Sequence, residues 1–152
     1  MTIKKAAYSD VRTIFDITSS TIAEIYPRYY PSGAVKLFLD YHSEDTIAKD
    51  VAEGNAFICF DSAGNPAGTV TICGNEIQRL YVLPRFQGKG FGKKLLEFAE
   101  NELFKTFDEI IVESSLPAKG LYLKRDYIET EYLNMEAENG DFLCWDKMVK
   151  RK

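Results

Sequence analysis

The sequence predicts a mixed α/β fold, of the α+β kind rather than a doubly wound one, in a single domain over residues 1–152. Three observations predict it. Strand-like segments at 56–60, 67–73 and 76–83 follow one another with only turn residues between them, which makes an antiparallel meander. Apolar residues recur at helical spacing before that meander and again after it. A last pair of strand-like runs is joined around Asn139-Gly140, and no repeat, linker or low-complexity stretch divides the chain.

The elements follow in order. Residues Ile3 to Ala6 suit a short first strand, and Ser9-Asp10 supplies a helix N-cap ahead of Val11, Ile14, Phe15 and Ile22. That helix is expected to fail near Tyr26-Pro27. The run from Tyr26 to Pro31 sets three tyrosines between two prolines and predicts a loop with a large exposed aromatic surface. Pro31 or Ser32 opens a second helix with Ala34, Leu37, Phe38 and Tyr41 on one face, and His42 is expected as its exposed end. Ser43 caps a shorter helix carrying Ile47, Ala48 and Val51. In the meander, Asp61 to Pro66 and then Gly74-Asn75 make the turns. A glycine-rich loop, Arg85 to Gly92, leads into a helix with Phe91, Leu95, Leu96, Phe98, Ala99 and Leu103 at or near its core stripe. Glu109 to Glu113 is a strand, Pro117 to Arg125 a helix begun by Ser114 or Ser115, and Tyr127 to Met135 and Asp141 to Val149 are the final strands.

Composition excludes several classes. The chain holds 19 Lys and Arg against 23 Asp and Glu, a net charge of -4, and 45% hydrophobic residues. Such a chain is neither disordered nor disulfide-dense. The mild acidity argues against a general nucleic-acid binder, which needs a positive face to release counterions from phosphates. No apolar run approaches a membrane span or a signal peptide, so the expected location is cytoplasmic, with no membrane partner. Cys59, Cys73 and Cys144 are widely spaced within apolar runs and read as buried free thiols. With a single histidine, no metal site is expected.

The informative window is Leu80 to Leu96. It places three alternating glycines and four cations, with no acid between Arg85 and Lys94, where a strand ends and a helix starts. Glycine lets successive amides face outward unobstructed, and the helix N-terminus adds partial positive charge, so the loop suits a phosphate or pyrophosphate. Two nucleotide motifs fail here. A dinucleotide fingerprint from Gly88 needs a glycine where Lys93 stands, and a P-loop needs Ser or Thr where Lys94 follows Lys93.

Gln87-Gly88-Lys89-Gly90-Phe91-Gly92 resembles in full the cofactor loop of the GNAT (Gcn5-related) N-acetyltransferases, which runs Gln or Arg, two residues, Gly, one residue, Gly or Ala. Leu80-Tyr81-Val82-Leu83-Pro84 is similar to the family's fourth strand, and the element order from residue 3 to 149 is similar too. The resemblance implies a mostly antiparallel mixed sheet with helices on both faces and a splayed central strand. It implies acetyl-CoA as co-substrate and no metal. Cofactor contacts are expected from Leu80, Tyr81 and Val82 on the strand, from Gln87, Gly88, Lys89, Gly90, Phe91, Gly92 and Lys93 in the loop, and from Ser115. Ser115 to Tyr122 resembles the Asn-x-x-Ala-x-x-x-Tyr element, so Tyr122 is expected to protonate the departing thiolate. Ser115 stands where the family has asparagine, and Asp126-Tyr127 where it has Gly-Phe, which asks Asp126 to adopt a left-handed conformation.

A lysine-like amine is mostly protonated at neutral pH, a penalty of roughly 4.6 kcal/mol before it can attack. Glu76 starts the strand that ends beside the loop and is a candidate base, sharing strand parity with Gln78, Leu80 and Val82; an exposed strand-start acid is the competing reading. Tyr26, Tyr29 and Tyr30, with the acidic turn Glu136 to Asp141, are the expected rim for a cationic amine. The expected activity is direct acetyl transfer to a primary amine, either a small cationic amine, a polyamine, or a peptide or protein. The alternative is a non-catalytic acyl-CoA-binding module. A homodimer is left open.

Overall fold

The computed structural model describes residues 1–152. Seven strands form one sheet in the order β1-β2-β3-β4-β5-β7-β6: β1 (Thr2–Lys5), β2 (Ala56–Phe60), β3 (Pro66–Cys73), β4 (Glu76–Val82), β5 (Glu109–Ser115), β6 (Ile128–Glu136) and β7 (Phe142–Arg151). Every neighbouring pair is antiparallel except β4 and β5, so the mostly antiparallel mixed sheet is the one expected. The helices are α1 (Val11–Ile25), α2 (Ser32–Tyr41), α3 (Glu44–Ala52), α4 (Phe91–Leu103) and α5 (Leu116–Leu123).

Helices cover both faces of the central strands, whereas the edge strand β6 is exposed along nearly its whole length. The apolar stripe of α4, with Leu95, Leu96, Ala99 and Leu103, packs on Val70, Ile77, Val112 and Met148. On the opposite face α1 and α2 bring Ile17, Ile22 and Ala34 onto Tyr81 and Leu83, while α3 brings Ile47 and Val51 to Ile14 and Ile58. Ser43 caps α3 as its sequence predicts, its Oγ accepting from Thr46 N at 3.4 Å. Asp126 ends the α5 segment at φ 66°, the left-handed conformation its position demands.

Two irregularities of β4 position the site. First, β4 pairs with β5 only at Glu76↔Ile111 and Ile77↔Val112, after which the two strands part. Second, the β3–β4 register slips between Thr71↔Arg79 and Ile72↔Ile77, so Gln78 is an extra residue, a β-bulge. Beyond the bulge Tyr81 pairs with Thr69 and Leu83 N bonds Ala67 O, which leaves the backbone groups of Leu80 and Val82 turned toward the opening. The bulge also overturns the expected parity of Glu76. Ile77, Leu80 and Val82 lie on the α4 face, and Glu76 instead shares the α1–α2 face with Tyr81.

Gly68 opposite Val82 is sterically required. A Cβ there would lie 2.7 Å from Tyr81 O and 2.9 Å from Leu95 Cδ1, between two strands and α4. Gly68→Ala should therefore destabilise the fold by about 1–3 kcal/mol in chemical denaturation; no loss would mean that β4 is free to shift.

Candidate active site

The loop predicted to hold phosphate is built as one. Pro84–Phe86 forms a single tight turn, then Gly88 at φ 72° and Gly90 at φ 86° reverse the chain so that Gly90 becomes the N-cap of α4. A Cβ at either glycine would meet nothing within 4 Å, so the space before the loop is open and the backbone conformation selects glycine. The first backbone bond of the helix is Lys94 N to Gly90 O, and the amides from Gly88 to Lys93 have no backbone acceptor. Arg85 and Lys89 stand 5.0 and 5.8 Å from the Phe86 ring, and Phe91 turns its side chain into the core against Phe86. Phe91 therefore offers the groove an amide only.

A groove of about 490 Å³ runs from this loop along the opening between β4 and β5. Gln87, Gly88, Gly90, Gly92, Lys93, Leu80, Tyr81, Val82 and Ser115 all line it, so these expected contacts are brought together. Gln87 Nε2 donates to Val82 O at 2.9 Å, and Thr21 Oγ1 reaches the same oxygen at 3.3 Å. That carbonyl is engaged, and the N–H of Val82 is the group it leaves for a ligand. Arg28 also lines the groove and escaped sequence reading, since nothing local distinguishes it from a solvated loop cation.

A second cavity, of about 430 Å³, lies on the α1–α2 side. Tyr26, Phe38, Tyr41 and Trp145 wall it, and Asp40, Glu76 and Glu113 give it negative charge. The groove and the cavity share Tyr26, Leu80, Tyr81, Ser115 and Ala118, so they meet at the opening in the sheet. Tyr122 lines the second cavity beside this junction. Its hydroxyl has no hydrogen-bonded protein partner, and burial, with the nearby Tyr26, pushes its pKa above that of an ordinary tyrosine. Glu76 is half-buried. Desolvation first, and the charge of Glu113 second, raise its pKa above the usual carboxylate range, against opposing contributions from Gln78 and Lys147.

Several expectations are corrected. The tyrosine-bearing turn is not an exposed aromatic surface: Tyr26 and Tyr30 are buried, and only Tyr29 is open, at the groove. Tyr30 lines neither cavity. Its hydroxyl accepts from Leu116 N at 2.8 Å and donates to Cys144 O at 2.9 Å, which ties the turn to α5 and β7. The acidic turn is likewise structural, with Asp141 Oδ2 accepting from Gly33 N at 2.9 Å and Glu138 pairing with Lys36. His42 is buried rather than exposed, and Cys73 is exposed rather than buried. Ser115 Oγ lies 2.9 Å from Tyr26 Oη, which holds it at the junction. No cluster of three His, Cys, Asp or Glu side chains is placed to hold a metal.

The profile of the family described as the acetyltransferase (GNAT) domain matches residues 25–150. No curated protein sequence matches the chain. Among solved structures, a GCN5-related N-acetyltransferase from Rhodopseudomonas palustris superimposes with a TM-score of 0.89 at 20% identity, over 99% of this chain and 95% of its own. A PaiA N-acetyltransferase from Thermoplasma acidophilum in complex with coenzyme A gives 0.77 at 19%, over 99% and 98%. A spermidine N-acetyltransferase variant from Vibrio cholerae gives 0.70 at 17%, over 99% and 92%. The structures share the fold, the profile spans most of the sequence, and the chain accordingly belongs to the GNAT acetyltransferase family.

Proposed function

We propose that this protein is an acetyl-CoA-dependent N-acetyltransferase that acts on a primary amine by direct attack, with both substrates held at once. The observation that carries the reading is the meeting of a phosphate-suited groove and an acid-lined cavity from opposite sides of one opening in the sheet. The residues fit acetyl-CoA: free amides and two left-handed glycines in front of open space suit its pyrophosphate, and the unpaired edge of β4 suits an extended amide-bearing arm. When bound, acetyl-CoA supplies the acetyl group and a thiolate leaving group.

The chain's own residues divide the remaining work. Gln87 to Lys93 bind the pyrophosphate, with Arg28 adding charge at the groove wall. Val82 N–H and the backbone of Leu80 orient the arm, and a backbone amide at this opening of the strand stabilises charge on the acyl oxygen. Glu76 takes a proton from the amine, directly or through water, and Tyr122 gives one to the leaving sulfur. The aromatic walls and three acids of the second cavity favour a cation attached to an apolar body. The polyamine named for the Vibrio protein belongs to that class, as does a lysine side chain. The proposal includes a cytoplasmic location and no nucleic-acid or membrane partner; no helix is long and apolar enough to cross a membrane.

Calorimetry with acetyl-CoA, followed by thiol release over a panel of diamines, polyamines and lysine peptides, tests it. Binding followed by release with one of these amines is expected; binding without turnover on any would favour an acyl-CoA-binding module. Glu76 has its own signature. Because its pKa is raised, its deprotonated fraction and hence the rate should fall as pH drops toward the weakly acidic range, earlier than for an ordinary carboxylate. Glu76→Gln should remove that acid limb from the pH profile of kcat/KM and cost about 100-fold in rate. A limb that persists in the variant belongs to another group.

A further inference from the structure

Three hydroxyls stand where groove and cavity meet, those of Ser115, Tyr26 and Tyr81. Ser115 Oγ and Tyr26 Oη are 2.9 Å apart, and Tyr26 Oη donates to Tyr81 Oη at 3.3 Å. On the far side of Tyr81, its Oη lies 3.0 Å from His42 Nε2, and Arg79 Nε donates to His42 Nδ1 at 3.2 Å. Every one of these contacts is buried.

Arg79 decides the direction of the whole chain. A guanidinium has no lone pair to accept with and keeps its charge, so His42 Nδ1 must be the bare, accepting nitrogen. Burial, and secondarily the charge of Arg79, hold the His42 pKa down at about 3, so the ring is neutral. A neutral imidazole with Nδ1 bare carries its proton on Nε2, and His42 therefore donates to Tyr81. Around this ring, Asp50 of α3 is taken up by Arg79 NH1 at 2.6 Å, Thr71 of β3 accepts from the same NH1 at 3.0 Å, and Tyr41 of α2 stands edge-on with its centroid 5.1 Å away. None of them competes for Nε2.

The protons can then be counted. Tyr26 gives its single hydroxyl proton to Tyr81, so Ser115 donates to Tyr26. Tyr81 Oη receives two hydrogen bonds, and its own proton has no protein acceptor. A phenol that accepts twice is polarised into a stronger donor. An attacking amine needs its lone pair for the new bond and offers no acceptor. The thioester does, on the carbonyl oxygen where negative charge grows during attack.

We propose that Tyr81 is a further catalytic residue, donating its phenolic hydrogen bond to the acetyl carbonyl oxygen, with His42 and Arg79 as the positioning residues that fix its direction. This rests on the transfer reading given above. Two measurements on the full chain test it without any acceptor amine. Nitrogen NMR of His42 should give the neutral Nε2–H tautomer; the Nδ1–H tautomer would overturn the proposal, because His42 would then take the Tyr81 proton. Infrared spectra of bound, carbonyl-labelled acetyl-CoA should show a lower stretching frequency in the wild type than in Tyr81→Phe, with affinity for CoA itself unchanged. Equal frequencies would overturn it. Where an amine substrate is found, Tyr81→Phe should lower kcat about 100-fold. If Tyr81→Phe loses CoA binding through misfolding, Tyr26→Phe, which removes one incoming bond, should raise the frequency part of the way, and an unmoved frequency counts against the assignment. Failure of the wild type to bind acetyl-CoA sinks the transfer reading and this one together; binding with an unmoved frequency sinks this one alone.

Discussion

Replacing Arg79 by methionine should cost the fold about 3–5 kcal/mol, the penalty for breaking a buried ion pair from one side. The side chain is only 4% exposed, and Asp50, its partner at 2.6 Å, is 17% exposed. The substitution strands three acceptors at once, Asp50 Oδ2, Thr71 Oγ1 and His42 Nδ1, each of which loses its donor away from bulk water. For a chain of this length the loss corresponds to a fall in Tm of about 10 °C in a thermal melt. Asp50→Asn is the informative partner variant, since an amide oxygen can still accept from the guanidinium, and it should cost less. A loss below about 1 kcal/mol in Arg79→Met would mean that water replaces the lost donors, a behaviour of exposed rather than buried pairs.

Tyr122→Phe should do the opposite: leave stability and acetyl-CoA affinity nearly untouched while lowering kcat about 100-fold. The hydroxyl has no hydrogen-bonded protein partner to lose, and the ring stays packed edge-to-face on Tyr127 with centroids 5.3 Å apart. What disappears is a proton source for the leaving sulfur. Its raised pKa keeps the phenol protonated at every physiological pH, so the proton is present at the start of each turnover. Parallel calorimetry and steady-state rates separate the two effects. An unchanged rate would remove Tyr122 from the mechanism and leave it as one more core ring.

The parts legible in the sequence are those whose chemistry is local. Gly88 and Gly90 announce their left-handed turns because few other residues tolerate them, and the run of cations around them needs no distant partner to be read. Ser43 and Asp126 were legible for the same reason. What could not be read depends on contacts far apart in the chain. Arg79 buries His42 across 37 residues, and Tyr30 finds Cys144 O across 114, so both left the solvent-exposed roles that their neighbours in sequence suggested. Asp141 looked like a substrate-facing acid only because its partner, the amide of Gly33, lies at the other end of the molecule's sequence. The placement of Glu76 failed differently. Strict alternation along a strand is a sound rule, and one extra residue between Ile77 and Arg79 breaks it.

That extra residue gives β4 one position whose loss the two faces of the strand would survive. Point substitutions at the exposed Gln78 leave the register alone, whereas deleting its codon would restore uninterrupted alternation. The acid at the head of the strand and the tyrosine near its end would then be separated by an even number of positions and would still share one face, and only the local bend and added twist of the strand would be lost. Homologues of this strand are best compared by which face each side chain takes rather than by residue count, since a relative without the bulge keeps the same two faces with one amino acid fewer between the hairpin and the glycine loop.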